Sequence, residues 1–293
     1  NYMISSVDLK SNYYELSIDN LIEFYDVFLN IPTNYYLFTD INKNKISLDA
    51  HIIVGETLFH KQKELKIGGG FIDWGGINMA LETSGIRISF LGHDSFKLEY
   101  SGKIIYIDPF KISSGEKADI ILITHGHYDH CSIEDLRKLS TVETTIITTP
   151  DTTSKLARSV DAKDTKLVTP GTKFDLGWLK IEAVPSYNIG KDFHPKENQW
   201  VGYIIELNGV KIYHAGDADL IPEMSNIKCD IALLPVSGTY VMTPEEAAKA
   251  VGIIKPKVAI PMHYGSGVIG EVTDAQKFKQ LCTGCEVVIL EKE

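Results

Sequence analysis

The sequence predicts an α/β fold in which β-sheets are covered by helices, and three observations indicate it. From residue 86 onward, short apolar and β-branched runs are bounded by turn residues, as strands are. The first runs form hairpins, whereas the later ones alternate with helix-like segments. One run, Ile120–Ile123, is apolar throughout, which is typical of a buried strand. This order favours sheets with helices packed against them.

The first half of this region contains five predicted strands and two predicted helices. The strands are Arg87–Leu91, Phe96–Tyr100, Lys103–Ile107, Asp119–Thr124 and Thr145–Thr149, and the helices are Ile133–Leu139 and Asp151–Ser159. Ser101-Gly102 is a two-residue turn of the kind that joins hairpin strands. Ser132 precedes the first helix and is expected to cap it, because its hydroxyl can accept a free backbone N–H.

The second half contains seven predicted strands and two further helices. The strands are Lys166–Val168, Leu179–Val184, Val201–Leu207, Val210–His214, Asp230–Val236, Val258–Pro261 and Val287–Leu290. One helix is expected between Thr243 and Pro256 and the other at Asp274–Leu281. Thr243 and Glu246 have the spacing of a capping box. Asn208-Gly209 is a strong hairpin signal.

Residues 1–85 differ from this pattern and are predicted to form an N-terminal extension, a small α+β appendage to the main domain at residues 86–293. Leu21–Leu29 is densely apolar and predicts a helix. Tyr35–Phe38 and Ile46–Val54 predict strands, separated by the turn-prone Asn42–Lys45. The sequence assigns this extension no function.

Composition disfavours several classes of protein. The net charge of −10 argues against a phosphate-tracking surface, so no nucleic acid partner is expected. No apolar run reaches the roughly 20 residues that cross a bilayer, and the start lacks a secretory pattern. Four cysteines form no dense framework. We expect a cytoplasmic protein that acts on a small-molecule substrate. The sequence does not decide whether the protein forms a homo-oligomer.

A cluster of imidazoles and a carboxylate follows the buried strand. His125-Gly-His-Tyr-Asp-His130 places three histidines and one aspartate within six residues. Neutral imidazoles and carboxylates are ligands of zinc and neighbouring divalent metals. Gly126 allows the turn that lets His125 and His127 converge on one ion, while Asp129 and His130 project toward another. The cluster therefore predicts a metal site.

Two later strands end in the same kinds of side chain. Tyr213-His-Ala-Gly-Asp217 ends one strand with a carboxylate, and Ile260-Pro-Met-His-Tyr264 ends another with an imidazole. Strand ends are where a rigid scaffold commonly displays functional groups. Beside the histidine cluster, Asp217 and His263 are therefore predicted to belong to the same site.

These motifs resemble those of the metallo-β-lactamase superfamily. His125–His130 matches its HxHxDH signature, and Ile107–Pro109, Ala215–Asp217 and Met262–Tyr264 follow in its order. More narrowly, Gly92-His-Asp-Ser-Phe96 looks like the branch of metal-dependent hydrolases related to the ascorbate-6-phosphate lactonases. The resemblance covers residues 86–293. It implies an αββα sandwich of two mixed β-sheets flanked by helices, with the active site along one edge.

The resemblance also implies the ligands of two metals. They are His125 and His127 for the first metal, Asp129, His130 and His263 for the second, and Asp217 between both. Asp108 would accept a hydrogen bond from a ligating imidazole and fix its tautomer. His93 and His214 would either orient ligands or contact substrate, or serve as structural hydrogen-bonding groups.

One departure concerns the first metal, to which superfamily members usually supply a third histidine. The corresponding stretch, Val184–Asn188, contains none, and His194 is the nearest substitute. The alternatives are that Tyr187, Asn188 or water fills the position, or that the first site is weak and the second alone holds metal. The sequence leaves these alternatives open.

The resemblance implies hydrolysis by a metal-bound hydroxide, because a divalent ion lowers the pKa of bound water from about 16 toward about 7. Asp129 would orient this nucleophile and relay its proton. Zinc is the default ion for an imidazole-rich site, and Mn²⁺ and Fe²⁺ are alternatives because carboxylates contribute.

The predicted substrate is a small ester, lactone or phosphodiester. Candidate substrate-binding residues are Tyr187, Asn188, Lys191 and Lys196. The lysines in an acidic protein indicate an anionic substrate, although a solvated charged loop explains them equally well. Two other functions stay open: a nuclease of the same fold, and a non-catalytic metal-binding sensor with an incomplete first site.

Overall fold

The computed structural model describes residues 13–17, 34–42, 45–52, 65–67, 70–72 and 80–293 of the chain. Backbone contacts divide the chain into two units, residues 1–77 and 78–293. In the first unit the described strands form a three-stranded antiparallel sheet and a separate two-stranded ladder. These strands are β1 (Tyr13–Ser17), β2 (Asn34–Asn42), β3 (Lys45–Ile52), β4 (Leu65–Ile67) and β5 (Gly70–Ile72).

Two strands predicted in the N-terminal extension are confirmed, as β2 and β3. The helix predicted at Leu21–Leu29 lies outside the described residues. The extension itself, as a domain ending at residue 85, stays a prediction. Strand β6 (Ala80–Thr83) pairs antiparallel with the next strand of the second unit, so pairing within that unit begins before residue 86.

The first sheet of the second unit has seven strands among the residues described. After β6 they are β7 (Ile86–Gly92), β8 (Ser95–Tyr100), β9 (Lys103–Ile107), β10 (Ile120–Leu122), β11 (Thr145–Thr148) and β12 (Asp164–Leu167). They lie side by side in the order of the chain. Strands β6 to β9 pair antiparallel, whereas β9 to β12 pair parallel, so the sheet is mixed.

The second sheet repeats this arrangement, again with seven strands in the described region. They are β13 (Lys173–Asp175), β14 (Leu179–Pro185), β15 (Val201–Leu207), β16 (Val210–His214), β17 (Ile231–Pro235), β18 (Val258–Met262) and β19 (Glu286–Val287). Strands β13 to β16 pair antiparallel, and β16 to β19 pair parallel. Both halves of the unit therefore share one topology.

In the described second unit, α-helices make four of the six crossovers between parallel strands. They are α1 (Ile133–Leu139), α2 (Thr153–Leu156), α3 (Pro244–Ile254) and α4 (Val272–Leu281). Helix α1 is capped by Ser132, whose Oγ accepts the backbone N–H of Asp135 at 3.4 Å. Helix α3 begins with a complete capping box between Thr243 and Glu246. Both predicted caps are confirmed.

The alternation of side chains along β10 shows how the layers are separated. Ile120 and Leu122 belong to the main hydrophobic core, which both sheets share with α3 and α4. Ile121 and Ile123 belong to a second core together with Leu136 of α1. Because successive side chains of a strand point to opposite faces, one apolar run serves both cores. The predicted αββα sandwich of two mixed sheets is confirmed.

Within residues 86–293, three short elements differ from the predicted strands and helices. The helix predicted at Asp151–Ser159 is reduced to a 3₁₀ turn at Pro150–Thr152 followed by α2, whose one buried apolar side chain is Leu156. A polar segment with so little to bury has little tertiary packing to extend it. The last strand stops at Val287. Strand β13 was not predicted, because only one of its three residues is shielded from solvent.

The four cysteines of the second unit, Cys131, Cys229, Cys282 and Cys285, form no disulfide with one another, and Cys131 is buried. Within the part of the chain that the structure describes, no helix combines the length and apolar character needed to cross a bilayer.

Two Gly→Ala substitutions are expected to change stability in opposite directions. In Gly202→Ala the new Cβ would lie 2.5 Å from the carbonyl oxygen of His214, so β15 and β16 must separate. We expect it to lower the free energy of unfolding by about 1–3 kcal/mol.

The control is Gly252→Ala in α3, where a Cβ meets nothing within 4 Å. There the substitution should stabilise the protein by about 0.5–1 kcal/mol, because alanine loses less conformational freedom in a helix. Urea unfolding monitored by circular dichroism measures both. Equal effects of the two substitutions would contradict the predicted contact between these strands.

Candidate metal centre

The predicted metal ligands come together at one edge of the sandwich, at the carboxyl ends of strands. His125–His130 follow β10, Asp217 follows β16, and His263 follows β18. Asp151, after β11, accepts the backbone N–H of Gly126 at 3.0 Å. A Cβ at Gly126 would collide with this carboxylate, so a glycine is required by close approach. The strand ends thus fix the loop that carries the histidine cluster.

The first ligand group consists of His125, His127, His194 and Asp217, whose candidate donor atoms all lie within 4.8 Å of one another. Nε2 of His125 is 3.0 Å from Nδ1 of His127. Oδ2 of Asp217 is 3.9 Å from Nε2 of His125 and 3.0 Å from Nε2 of His194. Three imidazoles and one carboxylate are a donor set typical of zinc.

His194 is positioned in this group by Asn188. Oδ1 of Asn188 accepts hydrogen bonds from the backbone N–H of His194 at 3.1 Å and from its Nδ1 at 2.9 Å. Because Nδ1 donates its proton, Nε2 carries the lone pair that faces Asp217. Of the alternatives for the missing third ligand, the structure places His194 in the group. Oδ1 of Asn188 is instead occupied by His194, and the hydroxyl of Tyr187 donates to Glu223.

The second ligand group consists of His93, Asp94, His130 and His263, and all four are buried. Nε2 of His130 and Nε2 of His263 each lie 3.4 Å from Oδ2 of Asp217, which therefore faces both groups. Oγ of Ser237, at the end of β17, contacts Nδ1 of His263 at 2.7 Å. Sequence reasoning assigned no role to Asp94 or Ser237.

Asp108 orients two of the imidazoles. Its Oδ2 accepts a hydrogen bond from Nδ1 of His130 at 2.8 Å and from Oγ1 of Thr124 at 2.5 Å. Since the Thr124 hydroxyl donates to Asp108, it accepts from Nδ1 of His125, 3.0 Å away. Both rings thereby present Nε2 to the centre, which agrees with the tautomer role expected of Asp108.

The electrostatics of the metal-free site favour a cation. Burial acts to lower the pKa of His130, but the carboxylates of Asp217 and Asp108 outweigh it and hold this pKa well above its usual value. Burial holds the pKa of His125 well below its usual value, with a contribution from the nearby charge of His130. Carboxylates that attract positive charge beside neutral imidazoles are the environment that metal binding needs.

Several buried ligand atoms have no hydrogen-bond partner. They are both carboxylate oxygens of Asp94, Nε2 of His130, Nε2 of His194 and Oδ1 of Asp217. Buried polar atoms nearly always have a hydrogen-bond partner. This cluster of unpaired atoms therefore indicates that an ion binds among them. Each of these atoms is of a kind that coordinates divalent metals. The residues therefore fit the divalent metal ions that they are expected to hold.

Asp129 lies beside the second group rather than within it. Its Oδ2 accepts a hydrogen bond from Nε2 of His93 at 3.1 Å. Burial acts to raise the pKa of Asp129, but this hydrogen bond and the charge of His130 outweigh it and hold the pKa at about 2. Burial in turn lowers the pKa of His93 to about 4. Asp129 is thus an ionised acceptor next to the cluster.

His214 is buried, belongs to neither ligand group, and links two segments of the site. Its Nδ1 accepts the backbone N–H of Gly216 at 3.2 Å, so Nε2 carries the proton. That proton is donated to the carbonyl oxygen of Asp94 at 2.9 Å. In this structure both ring nitrogens make structural hydrogen bonds.

The candidate substrate-binding residues are engaged inside the protein. Nζ of Lys191 donates to Asp219 at 2.6 Å and to two backbone carbonyls. Nζ of Lys196 donates to Glu223 at 2.8 Å and to the hydroxyl of Tyr187, which also donates to Glu223. Their binding of substrate stays a prediction, and the paired carboxylates reduce the charge that they offer to an anion.

Three aromatic side chains accompany the ligating histidines, one in ring contact with them and two as their neighbours in the chain. The ring of Trp200 lies 4.7 Å from that of His125 and 4.8 Å from that of His127, and its Nε1 donates to Asp151 at 3.0 Å. Tyr128 and Phe193 are neighbours of ligating histidines in the chain and are 66% and 46% exposed. We define Trp200, Tyr128 and Phe193 as the aromatic rim.

Two mixed sheets with paired ligand groups at one edge define the metallo-β-lactamase class of metallohydrolases. Residues 87–263 match the family described as the β-lactamase superfamily domain. A crystal structure from Parabacteroides distasonis is 33% identical, with a TM-score of 0.64, covering 74% of this chain and 99% of that one. Igni18, a metallohydrolase from Ignicoccus hospitalis, is 26% identical with a TM-score of 0.58, covering 71% and 95%.

Relatives in sequence narrow the assignment. A UPF0173 metal-dependent hydrolase of Thermococcus onnurineus is 34% identical over 224 residues, which are 70% of this chain and 96% of the relative. Another from Lysinibacillus sphaericus is 32% identical over 224 residues, with the same coverage. The chain therefore belongs to the UPF0173 metal-dependent hydrolases of the β-lactamase superfamily. It is an enzyme, and it requires a metal.

Replacing His194 tests the first ligand group. His194→Ala removes one of three imidazoles, and we expect the purified protein to hold one ion per chain fewer than the parent. Phe193→Ala is the matched control, because it truncates the neighbouring side chain, which offers no ligand atom. Elemental analysis after dialysis measures both. An unchanged metal content in His194→Ala would exclude His194 as a ligand.

Proposed function

We propose that this enzyme hydrolyses a small ester, lactone or phosphodiester at a two-metal centre. The observation that carries the proposal is the position of Asp217, whose Oδ2 lies within 4 Å of imidazole nitrogens from both ligand groups. The proposed ligands are His125, His127 and His194 for the first ion, His130, His263 and Asp129 for the second, and Asp217 for both.

The ligands proposed above would hold the ions whose chemistry the reaction needs. When bound, divalent ions activate water and polarise a substrate oxygen at neutral pH. Zn²⁺ is the proposed first ion because its ligands are imidazole-rich, and Mn²⁺ or Fe²⁺ are alternatives for the carboxylate-richer second position. Hydrolysis then requires a group that directs the water and accepts its proton.

Asp129 is the proposed group. Its carboxylate lies at the edge of the second ligand group, and one oxygen is held by Nε2 of His93 at 3.1 Å. His93 is fixed in turn by Oγ of Ser266, 3.2 Å from its Nδ1. A carboxylate held in one orientation at the metals can direct an attacking water and accept its proton.

The arrangement favours a hydrolase over the metal-binding sensor. The sensor alternative assumed an incomplete first site, because the stretch before His194 supplies no histidine. Nε2 of His194 lies 3.0 Å from Asp217 and brings the number of imidazoles in the first group to three. The nuclease alternative is disfavoured by the net charge of −10.

The aromatic rim bears on the class of substrate. Tyr128 and Phe193 are exposed and adjoin His127 and His194 in the chain. Small-molecule sites are typically apolar with a few placed polar groups. An anionic substrate would compete with Asp219 for Lys191 and with Glu223 for Lys196. We therefore expect an apolar acyl or aryl group to contribute to binding, whether or not the substrate is charged.

A substrate panel tests the proposed reaction. Aryl esters, lactones and phosphodiesters, each as a neutral and an anionic pair where the chemistry permits, are assayed with metal-loaded and chelator-treated enzyme. We expect turnover of at least one class that chelation abolishes and Zn²⁺ or Mn²⁺ restores. Cleavage that is indifferent to chelation would contradict a metal-dependent mechanism for that substrate.

Asp129→Asn then tests the proton acceptor on whichever substrate is turned over. We expect kcat to fall by about 10²–10⁴-fold, the usual contribution of general acid–base catalysis. Tyr128→Phe is the control, since it alters the adjacent, exposed side chain. Metal content is measured in parallel, because a loss of kcat that merely tracks loss of the second ion would assign Asp129 to metal binding alone.

A further inference from the structure

Asp94 is a buried carboxylate for which neither the fold nor the proposed reaction gives a role. It lies in the turn between β7 and β8, and its exposed fraction is 0%. Neither of its carboxylate oxygens has a hydrogen-bond partner. Leaving a buried acceptor unpaired lowers stability, and the cost is larger for a charged group. An ion or ligand at this position would remove that cost.

The backbone around Asp94 is fixed on both sides. His93 adopts a left-handed conformation (φ 57°), and its carbonyl oxygen accepts the backbone N–H of His263 at 2.8 Å. The carbonyl oxygen of Asp94 accepts Nε2–H of His214 at 2.9 Å. Oγ of Ser95 donates to the carbonyl oxygen of Asp108 and accepts the backbone N–H of Phe110. The carboxylate is therefore held in place while its own oxygens stay unpaired.

The surroundings of Asp94 are those of a cation site. Its carboxylate lies within 4.8 Å of candidate donor atoms on His93, His130 and His263. Oδ2 of Asp94 is 3.8 Å from Nε2 of His130, which also has no hydrogen-bond partner. An imidazole nitrogen and a carboxylate oxygen at this separation can both bind one ion placed between them.

Other buried aspartates of the unit show how a structural carboxylate is satisfied. Asp135, which is 3% exposed, accepts the backbone N–H groups of Lys111 and Ile112 at 2.9 and 3.0 Å. Asp108 accepts from Thr124 and His130. Asp94 differs from both in having no such donor, although it is at least as deeply buried.

We propose that Asp94 is a carboxylate ligand of the second metal, beside His130 and His263. This inference rests on the proposed two-metal centre but not on the identity of the reaction. It makes the second site richer in oxygen than the first, which is dominated by three imidazoles. Harder ions such as Mn²⁺ favour carboxylate ligands, whereas imidazole ligands suit Zn²⁺. Asp94 would thereby make the two sites prefer different metals.

Metal binding by variants of the full chain tests the proposal. The metal-free parent, Asp94→Asn and Asp94→Ser are titrated with Zn²⁺ alone and Mn²⁺ alone against a chromophoric chelator. Asp94→Asn should weaken the second equivalent by at least about tenfold, the lower end of losses found even for groups that only support ligands. Mn²⁺ should be affected more than Zn²⁺, and the first equivalent should be unchanged.

Thermal unfolding of the metal-free proteins gives a second readout. A ligand carboxylate is a liability without its ion, so both Asp94 variants should unfold at a higher Tm than the metal-free parent. Asp135→Asn is the matched control: it should unfold at a lower Tm and bind both ions with parental affinity. A structural role for Asp94 would produce the opposite sign, a lower Tm in both Asp94 variants.

Two outcomes would overturn the proposal in different ways. Parental affinity for both equivalents in Asp94→Asn would show that Asp94 is not a ligand, for instance because it is a neutral acid paired with Asp217, and would leave the two-metal centre standing. A parent that binds no second ion would overturn this inference and the two-metal centre together.

Discussion

The carboxylate of Asp108 is the interaction on which the candidate site depends. It joins the end of β9 to the loop after β10, because it accepts the backbone N–H of Thr124, the hydroxyl of the same residue, and Nδ1 of His130. Through that hydroxyl it also orients His125. Asp108 has a left-handed backbone (φ 43°), which is unfavourable for a non-glycine residue. The hydrogen bonds to its carboxylate offset that cost.

The repeated topology of the two halves explains why these groups meet. Asp108 follows β9 and Asp217 follows β16, the equivalent strand of the second sheet. Asp151 follows β11, and His263 follows the equivalent β18. Parallel strands carry their carboxyl ends to one edge of a sheet, where ligands commonly bind. Because the two sheets pack face to face, both edges meet at one site. Each sheet contributes carboxylates and imidazoles to that site.

Much of this could be predicted from sequence, because the signals were local. The apolar run of β10, the Asn208-Gly209 hairpin and the Thr243 capping box are short-range patterns, and all are confirmed. The orientation of His194 depends on its hydrogen bond to Asn188. Asp94 stands out because no hydrogen-bond donor pairs with its carboxylate in the folded protein. Both are properties of the folded environment, which residue types and spacing do not record.

The segment that holds His194 also holds Phe193 of the aromatic rim and Lys191, which is anchored to Asp219. If His194 holds an ion as proposed, substitutions in this stretch change metal binding as well as the surface around it. Evolution of selectivity in this family would be constrained accordingly, because substitutions that reshape this stretch put cofactor retention at risk.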